Sequence, residues 1–204
     1  GQAVLIDCGA NAECTPEYLV QFAYLGSFYA QQVLGLARPR VGLLNIGTED
    51  SKGTDLQKQT LARLKEADAA GHLHFIGNIE AKEAIKGGCD VIVTDGFSGN
   101  ILLKTMEGVG SFAGSALKSM FKKNLLTKLA ALAVMPGLNA FKDKLDPNKV
   151  GGTAFIGISK AVIKAHGASN AEAIENAVGQ AAAFARSGLI EKIEENVNLM
   201  KIEQ

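Results

Sequence analysis

Asparagine and glycine recur together at four points of this sequence, at two of them with aspartate, each at the end of an apolar run. Asp7, Gly9 and Asn11 follow AVLI, and Asn45 and Gly47 end VGLLNIG. Gly77 and Asn78 follow HFI, and Asp95, Gly96, Gly99 and Asn100 follow CDVIVT. Glycine lets a backbone approach a ligand closely, and an asparagine amide offers a donor and an acceptor together. At any one point such residues simply make a βα turn. Four points of the same kind indicate a binding site. The stretch DGFSGNILLK (95–104) predicts a helix capped by Asn100, with the backbone N–H groups of residues 96–100 facing the site. A helix N-terminus carries roughly half a positive charge, so an anion is its natural occupant. Lys104 lies one turn further on and either adds a full charge or is solvated. A second loop, NIGTEDSKG (45–53), brings Lys52 to a strand tip. Two such loops suit phosphate or a phosphorylated ligand.

The familiar signatures are absent. GTEDSKG is not a P-loop, because Gly53 follows Lys52 instead of preceding it. No G-x-G-x-x-G stands at a strand–helix junction, so no dinucleotide cofactor is expected. GFSGN differs from the G-x-S-x-G nucleophile elbow at Asn100, and no motif ties Ser98 to a histidine, so Ser98 reads as a loop residue. Cys8 and Cys14 are more simply buried or turn cysteines than nucleophiles. No His or Cys pair has metal-ligand spacing.

The elements that must position these residues follow from the pattern. Residues 3–11, 40–47, 73–78 and 89–96 are apolar runs ending in turn residues, as in strands of a parallel sheet buried on both faces. Thr15-Pro16-Glu17 opens a helix to about Leu36, and Thr54 opens another that stops at Gly71. This alternation predicts a βαβ sheet with right-handed crossovers. A long helical region is expected from Asn100 to Met135, ended by Pro136-Gly137. Two further strands, 153–158 and 161–167, and two closing helices complete a single α/β domain over 1–204.

Composition narrows the function. The 204 residues carry 21 basic and 21 acidic side chains, so no global field attracts nucleic acid. Three cysteines and three histidines form neither a disulfide framework nor a zinc pattern, which favours a reducing cytosol. No run has the length of a spanning helix, and no signal peptide is read. The chain enters a strand pattern without an initiator methionine, so residues upstream are expected.

VGLLNIGTEDSKG, HFIGNIE, DVIVTDGFSGNILLKTMEG and GGTAFIGISKAVIKAHGAS resemble, in order, the PlsX family of bacterial phosphate acyltransferases. The resemblance is collinear over the chain and implies the later three-fifths of such a protein. It also implies a Rossmann-like α/β fold of isocitrate/isopropylmalate dehydrogenase-like architecture, and a homodimer. The implied reaction moves a fatty acyl group from acyl carrier protein to inorganic phosphate, for phospholipid synthesis. Phosphate is itself a nucleophile and a thioester is already activated, so the protein must position the phosphate and stabilise charge on the thioester oxygen. On this reading Lys52 serves phosphate or the developing oxyanion, and Asn78 and Asn100 position substrate. Asp95 orients its loop. His166 is a proton carrier or, as simply, a histidine tucked at a strand end. Asn11, Asn45, Gly47, Gly77, Gly96, Gly99 and Lys104 line the substrate. A phosphotransacetylase using acetyl-CoA and a non-catalytic module binding acyl chains or membrane are the alternatives.

One further segment stands out. Leu117, Met120, Phe121, Leu125, Leu129 and Leu132 recur at spacings of mostly three or four, beside Lys118, Lys122, Lys123 and Lys128. No acidic residue occurs between Glu107 and Asp143. Such a stripe packs on a sheet or in a dimer, or lies on an anionic lipid surface. The resemblance implies peripheral association with the inner face of the membrane, so residues 112–145 are expected to project as an amphipathic helical segment contacting lipid or the acyl chain.

Overall fold

A computed structural model describes residues 2–145 and 151–201. They divide into two compact units. One contains the described residues up to Leu102, Phe155–Val162, and those from Ala182 onward; the other contains those of Leu103–Ala154 and Ile163–Ala181.

The first unit is built on four strands: β1 (Val4–Ile6), β2 (Val41–Asn45), β3 (Phe75–Glu80) and β4 (Val91–Val93). They pair in parallel in the order β1-β4-β2-β3. All four carboxyl ends therefore lie along one edge of the sheet, with the β4 tip between those of β1 and β2. This is the parallel α/β sheet that the apolar runs predict.

Helix α1 (Pro16–Gln32) starts where Thr15-Pro16 requires, with proline at the first turn. It ends four residues short of Leu36, and the chain leaves it through Gly35 at φ +72°. Helix α2 (Asp55–Ala69) follows Thr54, whose N–H donates to Gln57 Oε1 at 3.0 Å. Both helices pack against the sheet and each other, and Leu19, Val41, Leu43, Leu64, Val91 and Val93 are fully buried there. Ile92 instead joins Ile79, Ala84 and Cys89 in a smaller cluster under α3 (Ala81–Ile85), while Leu5 and Leu44 at its margin remain only partly buried. Phe184, Leu189 and Met200 close the unit; Phe184 meets Tyr29 edge-on at 6.2 Å.

Helix α4 (Gly96–Phe121) begins in the first unit and runs into the second. It starts four residues before Asn100, so Asn100 lies inside the helix and is not its cap. The long helical region is also interrupted. Lys122–Asn124 form a turn, and α5 (Leu125–Leu145) continues through Pro136 instead of ending there. The break is a reciprocal cap: Thr127 N donates to Asn124 Oδ1 at 2.9 Å, and Asn124 N donates to Thr127 Oγ1 at 3.1 Å. Strands β5 (Gly152–Phe155) and β6 (Val162–Ala165) form a separate two-stranded sheet, followed by α6 (Ala171–Arg186) and α7 (Leu189–Glu195).

Candidate active site at the strand tips

The tips of β1 and β4 are joined through the chain itself. Asp7 ends β1, and its Oδ1 accepts the Gly9 and Ala10 N–H groups at 2.9 and 3.0 Å. Its Oδ2 accepts Asn11 N at 2.6 Å and Asn11 Nδ2 at 2.9 Å. Burial alone would raise the Asp7 carboxyl; the hydrogen bonds from Ala10, Asn11 and Gly9 together outweigh it and hold the group below its ordinary value. The turn so held offers the Asn11 carbonyl oxygen to the Gly96 N–H at 2.9 Å.

Gly96 and Gly99 make this junction possible. A Cβ at Gly96 would stand 2.5 Å from the Asn11 oxygen, and one at Gly99 would run into the Asp7 carbonyl oxygen. The two glycines are therefore required by backbone approaching backbone. Asp95 caps α4, with its Oδ1 accepting Ser98 N–H at 2.8 Å, while Gly99 N donates to Asp95 O at 3.0 Å. The N–H groups of Gly96, Ser98 and Gly99 are thus already taken. The expected anion cradle over residues 96–100 is largely filled by Asn11 and Asp95. Asn100 is exposed on the helix surface beside Gly9.

The tips of β2 and β3 form a second cluster. Asn45 Nδ2 donates to the Lys52 carbonyl oxygen at 3.2 Å, and its Oδ1 accepts Ile46 N at 2.8 Å. Lys52 N donates to Glu49 O at 3.1 Å. The loop is braced at both ends, and the Lys52 side chain is exposed; among the described residues it makes no ion pair. Gly47 is buried beneath the same loop.

Asn78 is brought to this loop by a bulge. Between Val41 and Leu43 the β2 strand advances two residues while β3 advances three, from Phe75 to Asn78. Gly77 takes φ +94° there, which a side chain would resist. The Asn78 Nδ2 then donates to Glu49 O at 3.0 Å, and its buried Oδ1 has no partner among the described residues. An open groove of about 630 Å³ runs past it, lined also by Thr48, Asp50, Lys65, Phe75 and Gly77. Asn45 and Asn78 both spend hydrogen bonds on the loop that carries Lys52.

Lys104 and His166 belong to the second unit. Lys104 is paired with Glu107 at 2.7 Å, and His166 Nδ1 accepts the Ala168 N–H at 3.1 Å. The cysteines are poor nucleophiles. Burial, and then the Asp7 charge, pushes the Cys8 thiol up to about 11, and burial likewise raises Cys14. Among the described residues no group of three or more His, Cys, Asp or Glu could hold a metal.

The apolar stripe is divided between α4 and α5 by the turn at 122–124. Leu117 and Phe121 are half-buried, whereas Met120, Leu125, Leu129 and Leu132 are exposed, Leu125 by 74%. Among the described residues no helix is long and apolar enough to cross a membrane.

Pattern reading missed Asp7 as an organising residue. Its signal was the local spelling Asp-x-Gly-x-Asn, an aspartate followed by amides within reach of its side chain.

Comparison with known proteins extends over nearly the whole chain. A family model described as a fatty acid synthesis protein matches residues 1–192. A phosphate acyltransferase of Alkaliphilus oremlandii is 48% identical over 198 residues, covering 97% of this chain and 58% of the relative. Those of Brevibacillus brevis and Bacillus licheniformis are each 46% identical, over 94% and 95% of this chain and 56% and 58% of their own lengths. The chain thus spans a little under three-fifths of these relatives. With a collinear match of that identity, the chain belongs to the PlsX-type fatty acid synthesis protein family.

Proposed function

We propose that the protein to which this chain belongs transfers a long-chain fatty acyl group from acyl carrier protein to inorganic phosphate, forming acyl phosphate for phospholipid synthesis. The observation that carries this reading is the 43–49% identity to proteins named phosphate acyltransferase. A phosphate oxygen attacks the thioester carbonyl carbon, a C–O bond forms, the C–S bond breaks, and the carrier leaves as its thiol. No covalent enzyme intermediate is required. Lys52, exposed on a loop braced by Asn45 and Asn78, is the cation for phosphate or for the developing oxyanion. Asn100 adds a side-chain amide from α4. Because the α4 N–H groups are mostly engaged, side chains supply the anion contacts. Asp95, spent on the cap, orients the helix and is not the base.

Exposed Leu125, Leu129 and Leu132, with Lys122, Lys123 and Lys128 in the same segment, support peripheral contact with the inner face of the membrane or with the acyl chain. The active form is read as a homodimer in the cytoplasm. Acyl carrier protein bearing a long-chain acyl group, phosphate and the protein, trapped with hydroxylamine, should yield acyl hydroxamate. Dependence on acetyl-CoA instead would indicate a phosphotransacetylase. Vesicle binding with no hydroxamate from either donor would indicate a non-catalytic module.

A further inference from the structure

Four hydrogen bonds converge on the carboxylate of Asp7, a residue only 7% exposed, from the turn that follows β1. Its backbone is held as firmly: Asp7 N donates to Thr94 O at 3.0 Å, and Thr94 N donates to Ile6 O at 2.9 Å. A buried carboxylate is costly unless fully bonded. Here the negative form is required, because four N–H donors need two acceptor oxygens, and an amide of the same size offers one. The 9–11 turn that the carboxylate holds touches α4 twice. Asn11 O receives the Gly96 N–H, and Gly9 lies against the Asn100 side chain, where a Cβ on Gly9 would stand 3.5 Å from Asn100 Cβ and Cγ.

We propose that Asp7 is a positioning residue of the strand-tip site, holding the turn on which the first turns of α4 are seated and thereby setting Asn100. The geometry stands alone; the importance given to Asn100 rests on the acyl-transfer reading. A bare β-turn at this point needs no charge. A turn that must resist being pushed aside as substrate loads against α4 gains from one.

The test is Asp7→Asn in the full chain, which keeps the side-chain volume and leaves one oxygen for four donors. Acyl phosphate formation should lose about 10- to 100-fold in kcat, as expected of misplacement at a distance, with KM for the acyl donor unchanged. Amides of residues 9–11 and of Gly96–Asn100 should exchange with deuterium roughly ten times faster, while those of α2 and β2 keep their wild-type rates. Asn11→Ala removes one donor and keeps the carboxylate. Should Asp7→Asn not fold, the exchange measurement at Gly96–Asn100 applies to that milder variant. Wild-type kcat in Asp7→Asn overturns the proposal, as does faster exchange confined to the 9–11 turn. If the wild-type protein forms no acyl phosphate, the acyl-transfer reading falls, and the exchange pattern alone decides whether Asp7 seats α4.

Discussion

The backbone N–H of Gly96 donates to the carbonyl oxygen of Asn11 at 2.9 Å. That bond turns the start of α4 from an empty anion cradle into a joint between two neighbouring strand tips. It also explains why the helix begins with glycine, which otherwise disfavours helices by about 1 kcal/mol relative to alanine.

The joint makes a prediction about two glycines in the same helix. Gly99→Ala places a methyl group against the Asp7 carbonyl, and the chain must shift; a loss of about 1–3 kcal/mol is expected. Gly108 has nothing within 4 Å of an added Cβ, so Gly108→Ala should raise stability by up to about 1 kcal/mol. Urea unfolding of both variants decides it. Equal effects of one sign would mean that helix propensity governs both positions and the close approach does not matter.

Asp7 also predicts a pH dependence. Its carboxyl is held below the ordinary 3.8 in the folded chain, so its contribution is complete above that value. It is lost as pH falls through the lower, folded value. The stability gap between wild type and Asp7→Asn should therefore be constant near neutrality and shrink below about pH 3.8. Denaturant titrations at a series of pH values measure it. A gap that widens on acidification would contradict the assignment.

Lys52→Ala should cost about 2–4 kcal/mol of transition-state energy, as removal of an oxyanion donor does. Thermal stability should barely change, because the side chain is exposed on its loop. Ser98→Ala should leave turnover near wild type, since it is the Ser98 backbone N–H that meets Asp95. Hydroxamate yield under single-turnover conditions reads both. Near-normal turnover in Lys52→Ala removes the assignment, and a large loss in Ser98→Ala would restore the serine as a nucleophile.

Leu125→Glu or Leu129→Glu should weaken binding to anionic vesicles more than it lowers the melting temperature. Both side chains are exposed, so a core penalty is not expected. Flotation of variant and wild-type protein with vesicles rich in anionic lipid, set beside thermal melts, separates the cases. Unfolding without any prior vesicle binding would mean the stripe is buried in an assembly.

The sheet was legible because its strands are short apolar runs punctuated by turn residues, and Thr15-Pro16 marked α1 to the residue. What escaped was decided by contacts. Gly96, Gly99 and Asn100 spell a turn, but Asp95 caps them and the Asp7–Asn11 turn packs on them, so they fold as helix. Five residues are too few for α3 to show a period. The interruption before α5 was readable in Asn124-x-x-Thr127, whose reciprocal hydrogen bonds are a capping signal. The β3 bulge left no mark beyond Gly77, and it brings the Asn78 side chain to the Lys52 loop.

Val4 lies opposite Val91 in the finished sheet, with β2 and β3 folded between them in the chain. Closing so long a loop costs entropy before any contact repays it, and pairings of this kind slow folding. During synthesis Asp7 emerges long before Gly96 exists to meet Asn11. Because β4 pairs with both β1 and β2, the Asp7–Gly96 side of the candidate site can close only once β4 has entered the sheet between them.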